Sequence, residues 1–201
     1  MPITISGGVQ LTGPVVLTQS SSSSGGLSNG YTSGGDSSAG KDIIDKFPFA
    51  SDGNATDVGD LTAGREYVTG QSSSAHGYSS GGAPTSVSSV IDKFSFSADG
   101  NATDVGDLPG SDNTGATGQS SSTHGYASGS SFDGNSGIRK FAFTSDGDGT
   151  AIGDLTSSRV YAAGHSSTTD GYVSGGYTIP GGPIQNIIDK NLKIVTTTYG
   201  A

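Results

Sequence analysis

Two short loops hold the residues best placed to do chemistry. "SDGNATDVGD" sets Asp52, Asn54, Asp57 and Asp60 within nine positions, and a second copy sets Asp99, Asn101, Asp104 and Asp107 at the same spacing. Clustered side-chain oxygens suit a hard cation such as calcium. The order departs from an EF-hand loop, however, and no distal Glu follows. The segments therefore read first as hairpin turns, with Asp52, Asn54, Asp57, Asp99, Asn101 and Asp104 as metal candidates only in second place. No cofactor other than calcium is implied.

Histidine offers a second possibility. His76 and His124 stand directly before a Gly-Tyr pair, in a slot that Asn29 and Asp170 fill elsewhere. Two imidazoles, an amide and a carboxylate near a common axis could bind a metal; as polar caps of turns they need no ligand, and that reading takes precedence. His165 falls in a different slot, shared with Gln71 and Gln119, and reads as a polar replacement. Serine is abundant, but no G-x-S-x-G elbow is present and every polar group recurs in near-copies, whereas catalysis needs one asymmetric constellation. Asp112 and Asp133 lie in variable stretches with no visible partner for a glycosidase pair. The expectation is a non-enzyme. The "NAT" sequons at Asn54 and Asn101 sit in turns, and Tyr31, Tyr78, Tyr126 and Tyr172 read as packing wedges before they read as sugar platforms.

These residues belong to a repeat. The Gly-Tyr pair recurs at Tyr31, Tyr78, Tyr126 and Tyr172, at intervals of 47, 48 and 46 residues. "IIDKF" at 43–47 returns as "VIDKF" at 90–94, "GIRKF" at 137–141 and "IIDKN" at 187–191, and "DVGDL" at 57–61 returns at 104–108 and, as "AIGDL", at 151–155. The segment "VIDKFSFS" alternates two unlike faces, Ile91, Lys93 and Ser95 against Asp92, Phe94 and Phe96, which predicts a strand. "DGNATD" supplies turn chemistry behind it. "REYVTGQSSS" and "HGYSSGG" complete four short strands per period.

Composition fits an ordered β array. The 201 residues contain 35 Gly, 8 Tyr and 7 Phe, with 13% charged residues, unlike a disordered chain. No Gly-X-Y phase holds, which excludes collagen. A net charge of −9 with only nine Lys and Arg excludes a phosphate-binding face, so nucleic acid is not an expected partner. There is no Cys, and the first twenty residues carry neither a basic leader nor a long apolar run, so no signal peptide or membrane span is expected.

Four strands per period of this length predict an all-β propeller of four blades, with small residues where inner strands converge. Residues 1–14 form an arm or closing strand that completes the last blade, and 15–201 form the repeat domain. A β-solenoid or fibre-like array is the alternative.

The combination of "GYxSGG", "IDKF", "DVGDL" and the residues Arg65 and Arg159 resembles the kelch repeat. The wording "IDKFSFSADGNATDVGDL" with "GQSSSTHGY" is similar to kelch-like arrays in structural proteins of marine phages, cyanophages above all. What the resemblance implies is a virion component, such as a tail fibre, tail-tip protein or capsid decoration, located in the extracellular particle and oligomeric there. Its partners would be other virion proteins and a host surface glycan. Contacts would come from the variable loops 81–89, 129–137 and 175–186, the last with Tyr177, Ile179 and Ile184. A kelch-type protein-interaction adaptor is the alternative function.

Overall fold

The computed structural model describes residues 28–35, 41–83, 89–110, 113–130, 136–178 and 182–193. Every described element is a strand, and all pairings are antiparallel. Four meanders follow one another along the chain. The first sheet joins β1 (Asn29–Ser33), β2 (Lys41–Pro48) and β3 (Thr56–Arg65). The second joins β4 (Thr69–Ser72), β5 (His76–Ser80), β6 (Val90–Ser95) and β7 (Thr103–Asp107). The third repeats it with β8 (Thr117–Ser120), β9 (His124–Ser128), β10 (Gly137–Ala142) and β11 (Thr150–Asp154). The fourth holds β12 (Ala163–Ser166), β13 (Asp170–Ser174) and β14 (Ile188–Lys193). The proposed closing strand and the boundary at residue 14 lie outside the described residues.

The predicted strand over "VIDKFSFS" is β6, and its two faces are both covered. Ile91 packs with Tyr78, Leu108 and Phe141, toward the third sheet. Phe94 packs with Ile44 and Leu61 of the first. The period-2 alternation thus separates two neighbours rather than core from solvent, and Ile91 and Asp92 are buried side by side. Three apolar clusters result, one at each junction between consecutive sheets.

Aromatic rings fill these junctions. Tyr31 stacks on Phe96 with centroids 4.8 Å apart, and Tyr78 stacks on Phe143 at 4.7 Å. Within the first three sheets a Phe ring also covers the Gly that precedes the Tyr: Phe47 lies over Gly30, Phe94 over Gly77 and Phe141 over Gly125, so a side chain at any of the three glycines would collide with the ring. The Gly-Tyr pair and the final Phe of "IDKF" are therefore one packing unit.

At the small-residue stretch "TGQSS" neighbouring backbones come close together. β4 lies against β8 and β8 against β12, strand upon strand. A Cβ on Gly118 would strike the Gly70 carbonyl, and one on Gly164 the Gly118 carbonyl. Close approach is what glycine permits here. Serine hydroxyls then satisfy the facing amides: Ser72 N–H donates to Ser120 Oγ at 2.9 Å, and Ser120 N–H donates to Ser166 Oγ at 3.0 Å.

One expected strand is shorter than predicted. "REYVTGQSSS" does not run through, because Arg65 ends β3 and Tyr67 takes a left-handed conformation, φ 56°, before β4 begins at Thr69.

Candidate functional site

The acidic loops close inter-sheet contacts. The Asp57 carboxylate accepts the Gly59 N–H at 3.2 Å and Asp104 accepts Gly106 N–H at 3.1 Å, local turns that use the carboxylate the loop itself provides. Asn101 Oδ1 accepts the Asp60 N–H of the preceding sheet at 3.2 Å, and the Asp60 carbonyl receives Ala102 N–H at 2.7 Å. Asp148 and Gly149 clamp Asp107 in the same way, at 3.0 and 2.8 Å. Asp99 pairs with Lys46 at 2.5 Å, and Asp146 with Lys93 at 2.8 Å. "DGNA" and "DVGDL" are thus two halves of a latch between periods. Asp52 and Asn54 occupy the matching positions of the first sheet and are exposed. Among the described residues no three His, Asp or Glu side chains converge as metal ligands would.

The histidines sit beside the wedge tyrosines. His76 and Tyr78 have ring centroids 6.4 Å apart, His124 and Tyr126 6.3 Å. Partial burial, and then the neighbouring Lys93 or Lys140, holds both imidazoles below their ordinary pKa. His165 lies on β12, where its Nε2 meets Ser174 Oγ at 3.2 Å. That contact matches Ser80 Oγ donating to Gln71 and Ser128 Oγ donating to Gln119, at 3.1 and 2.8 Å, so the polar replacement keeps the partner. Tyr78 and Tyr126 are buried, and burial raises the Tyr78 hydroxyl pKa. Tyr31 and Tyr172 are half-buried.

Two buried ion pairs have only a faint sequence signal. Arg65, from the end of β3, meets Asp92 of β6, and Arg159 meets Asp189 of β14; both guanidinium groups are at most 1% exposed. The clue was an exchange: where Asp92 and Asp189 stand in the second and fourth copies, the third has Arg139, and where Arg65 and Arg159 stand, the second linker has Asn113.

Of the variable loops, Asp112, Asp133 and Ile179 lie outside the described residues. Tyr177 is held by backbone bridges to Val160 and Ile184, and Ile184 is 87% exposed. Tyr177 does not stand alone. Its ring lies 5.7 Å from that of Tyr161, which lies 5.6 Å from that of Tyr67. Tyr67 and Tyr161 occupy one slot of the repeat, four residues before Gln71 and His165, and Gly115 fills that slot in between. Tyr67, Gly115 and Tyr161 all have positive φ, at 56°, 67° and 51°. Burial, followed by the neighbouring Tyr67, Tyr177 and Glu66, raises the Tyr161 hydroxyl pKa.

A concavity of about 440 Å³ runs along Gly30, Tyr31, Gly70, Gln71, Ser72 and Ser120. Its lining is small, hydroxylated or aromatic, with the amides of Asn29, Gln71 and Gln119 among them.

Among the described residues no helix is long and apolar enough to cross a membrane. No protein-family model matches the chain, and no curated protein matches it.

Proposed function

We propose that this chain is a non-enzymatic structural protein of a virus particle, a stiff β module that carries surface loops toward a host or a neighbouring subunit. The observation that carries the reading is the use of its polar side chains. Asp57, Asp99, Asn101, Asp104 and Gln119, which could have served chemistry, are each engaged in a contact that recurs from period to period. Repetition of that kind stiffens a scaffold and leaves the linkers free to vary.

For the architecture, the close stacking of β4, β8 and β12 supports a kelch-like four-bladed ring with these strands innermost. A linear β-solenoid is the other arrangement compatible with four meanders in chain order. Small-angle scattering of the purified chain separates them, a ring having the lower radius of gyration.

Antibody raised against the chain and applied to purified marine phage particles tests the functional reading. Labelling at one fixed place on the particle is the expected result. Uniform absence of label from particles whose genome encodes the chain defeats it.

A further inference from the structure

Tyr67 and Tyr161 are costly residues for their positions. A left-handed backbone is uncommon for a bulky side chain and natural for glycine, which is what the same slot holds at Gly115. Strain of this kind persists where the surroundings enforce it, and it collects at ligand-binding positions. Burial does not account for it here, because Tyr67 is 45% exposed and Tyr161 49%.

The backbone holds the two residues in line. Gly115 N–H donates to the Tyr67 carbonyl at 3.3 Å, and Tyr161 N–H donates to the Gly115 carbonyl at 3.2 Å. Because the middle slot has no side chain, the rings of Tyr67 and Tyr161 close over it: a Cβ on Gly115 would meet the Tyr161 ring at 3.2 Å. Tyr177 extends the row, fixed by its two hydrogen bonds with Val160 at 3.1 and 3.2 Å. Three rings thus form an exposed ridge with intervals of 5.6 and 5.7 Å, tilted 55° and 36° to one another. Beside it Gln185 donates to Thr178 Oγ1 at 2.8 Å, so amide and hydroxyl groups border the rings.

We infer that the Tyr67–Tyr161–Tyr177 ridge binds a neutral polysaccharide, its pyranose units lying on successive rings. A phenol offers an apolar face and a hydrogen-bonding edge, the counterpart of a sugar with C–H groups on its faces and hydroxyls around its rim. A row of like rings gains from a ligand that also repeats. The chain's net charge of −9, with Glu66 beside Tyr67, disfavours acidic polymers. A protein partner would bury a broader apolar core than a single line of phenols offers. The inference rests on the loop-presenting role proposed above and names the ligand class of its surface.

Affinity electrophoresis of the full chain through gels containing dextran, mannan or xyloglucan, with alginate as the acidic comparison, tests it. Retardation by at least one neutral polymer is expected, with the apparent affinity falling about tenfold in Tyr161→Gly and in Tyr67→Gly. Glycine suits the backbone of this slot, so both variants should melt at or above the wild-type temperature and the loss cannot be ascribed to unfolding. Tyr161→Asn, which also tolerates positive φ, serves as a second variant should glycine prove too flexible. Unaltered mobility in every neutral gel overturns the inference, as does retardation that survives Tyr161→Gly or occurs with alginate alone. Concentration-dependent self-association in sedimentation that Tyr161→Gly abolishes also overturns it, in favour of a contact between copies. The two readings separate: particle labelling without polysaccharide binding defeats only the ridge, and binding without labelling defeats only the virion role.

Discussion

The junction between the first and second sheets and the junction between the second and third place a guanidinium in the same spot from opposite sides. At the first, Arg65 reaches across from the linker: its Nη1 donates to the carbonyls of Gly81 and Val90, its Nη2 meets Asp92, and Asp92 also accepts from the N–H and hydroxyl of Thr62. At the second, Arg139 stands on the strand in the slot of Asp92. Its Nη1 donates to the carbonyls of Gly129 and Gly137, the counterparts of Gly81 and Val90. The Thr62 slot is now Pro109, which has no N–H to donate and whose carbonyl accepts from Arg139 Nε at 3.0 Å. The third junction returns to the first arrangement with Thr156, Arg159 and Asp189. The architecture specifies a buried cation over two carbonyls and leaves open which segment supplies it. Thr, Arg and Asp change together to Pro, Asn and Arg because a donor set must face an acceptor.

The largest expected effect comes from removing one side of a pair. Asp92→Ala leaves the Arg65 guanidinium buried without its carboxylate and should lower stability by about 3–5 kcal/mol in urea titrations. Arg139→Asp should be comparably harmful alone, and adding Asn113→Arg with Pro109→Thr should recover most of the loss by rebuilding the first junction's chemistry at the second. A triple variant no more stable than Arg139→Asp would show that the two junctions are not equivalent. Next in size is Gly118→Ala, which forces β8 from β4 and should cost about 1–3 kcal/mol, whereas Gly53→Ala meets no atom within 4 Å and should stay within about 0.5 kcal/mol.

The smallest effect is that of pH. His76 and His124 have folded-state pKa values depressed by burial, so the unfolded chain takes up more protons as pH falls through the ordinary histidine range. Stability is fully present above that range and declines below it, toward the depressed folded values. A fall in melting temperature of no more than about 2 °C between pH 7 and pH 5 is expected, and His76→Asn with His124→Asn, the residue used at position 29, should remove it.

Much of the fold could be read directly from the amino acids. Period, strand faces and turns follow from "VIDKF", "DGNA" and "DVGDL", since each is a local pattern repeated in phase. The packing role of "TGQSS" followed from side-chain size alone. The guanidinium sites were less visible, because Arg65 and Asp92 are 27 residues apart and only the joint exchange at Pro109, Asn113 and Arg139 betrays their contact. The tyrosine ridge was hidden for a different reason: Tyr67 and Tyr161 look like ordinary strand residues, and the sign of φ that sets them outward is not a property of composition. Tyr177 and Ile184 were legible as apolar residues in a variable loop, but not the rings that Tyr177 joins.

The alternation of charge along the junctions also limits how such a chain can shorten by recombination. Excising one period, residues 76–123, would bring the Arg65 linker opposite Arg139 and set two cations in a space built for one. Excising two, residues 76–169, would bring it opposite Asp189, with Thr62 ready to donate to the same carboxylate. Loss of a single period should therefore be resisted where the cut parts a linker from its partner strand, and tolerated where Pro109, Asn113 and Arg139 stay together.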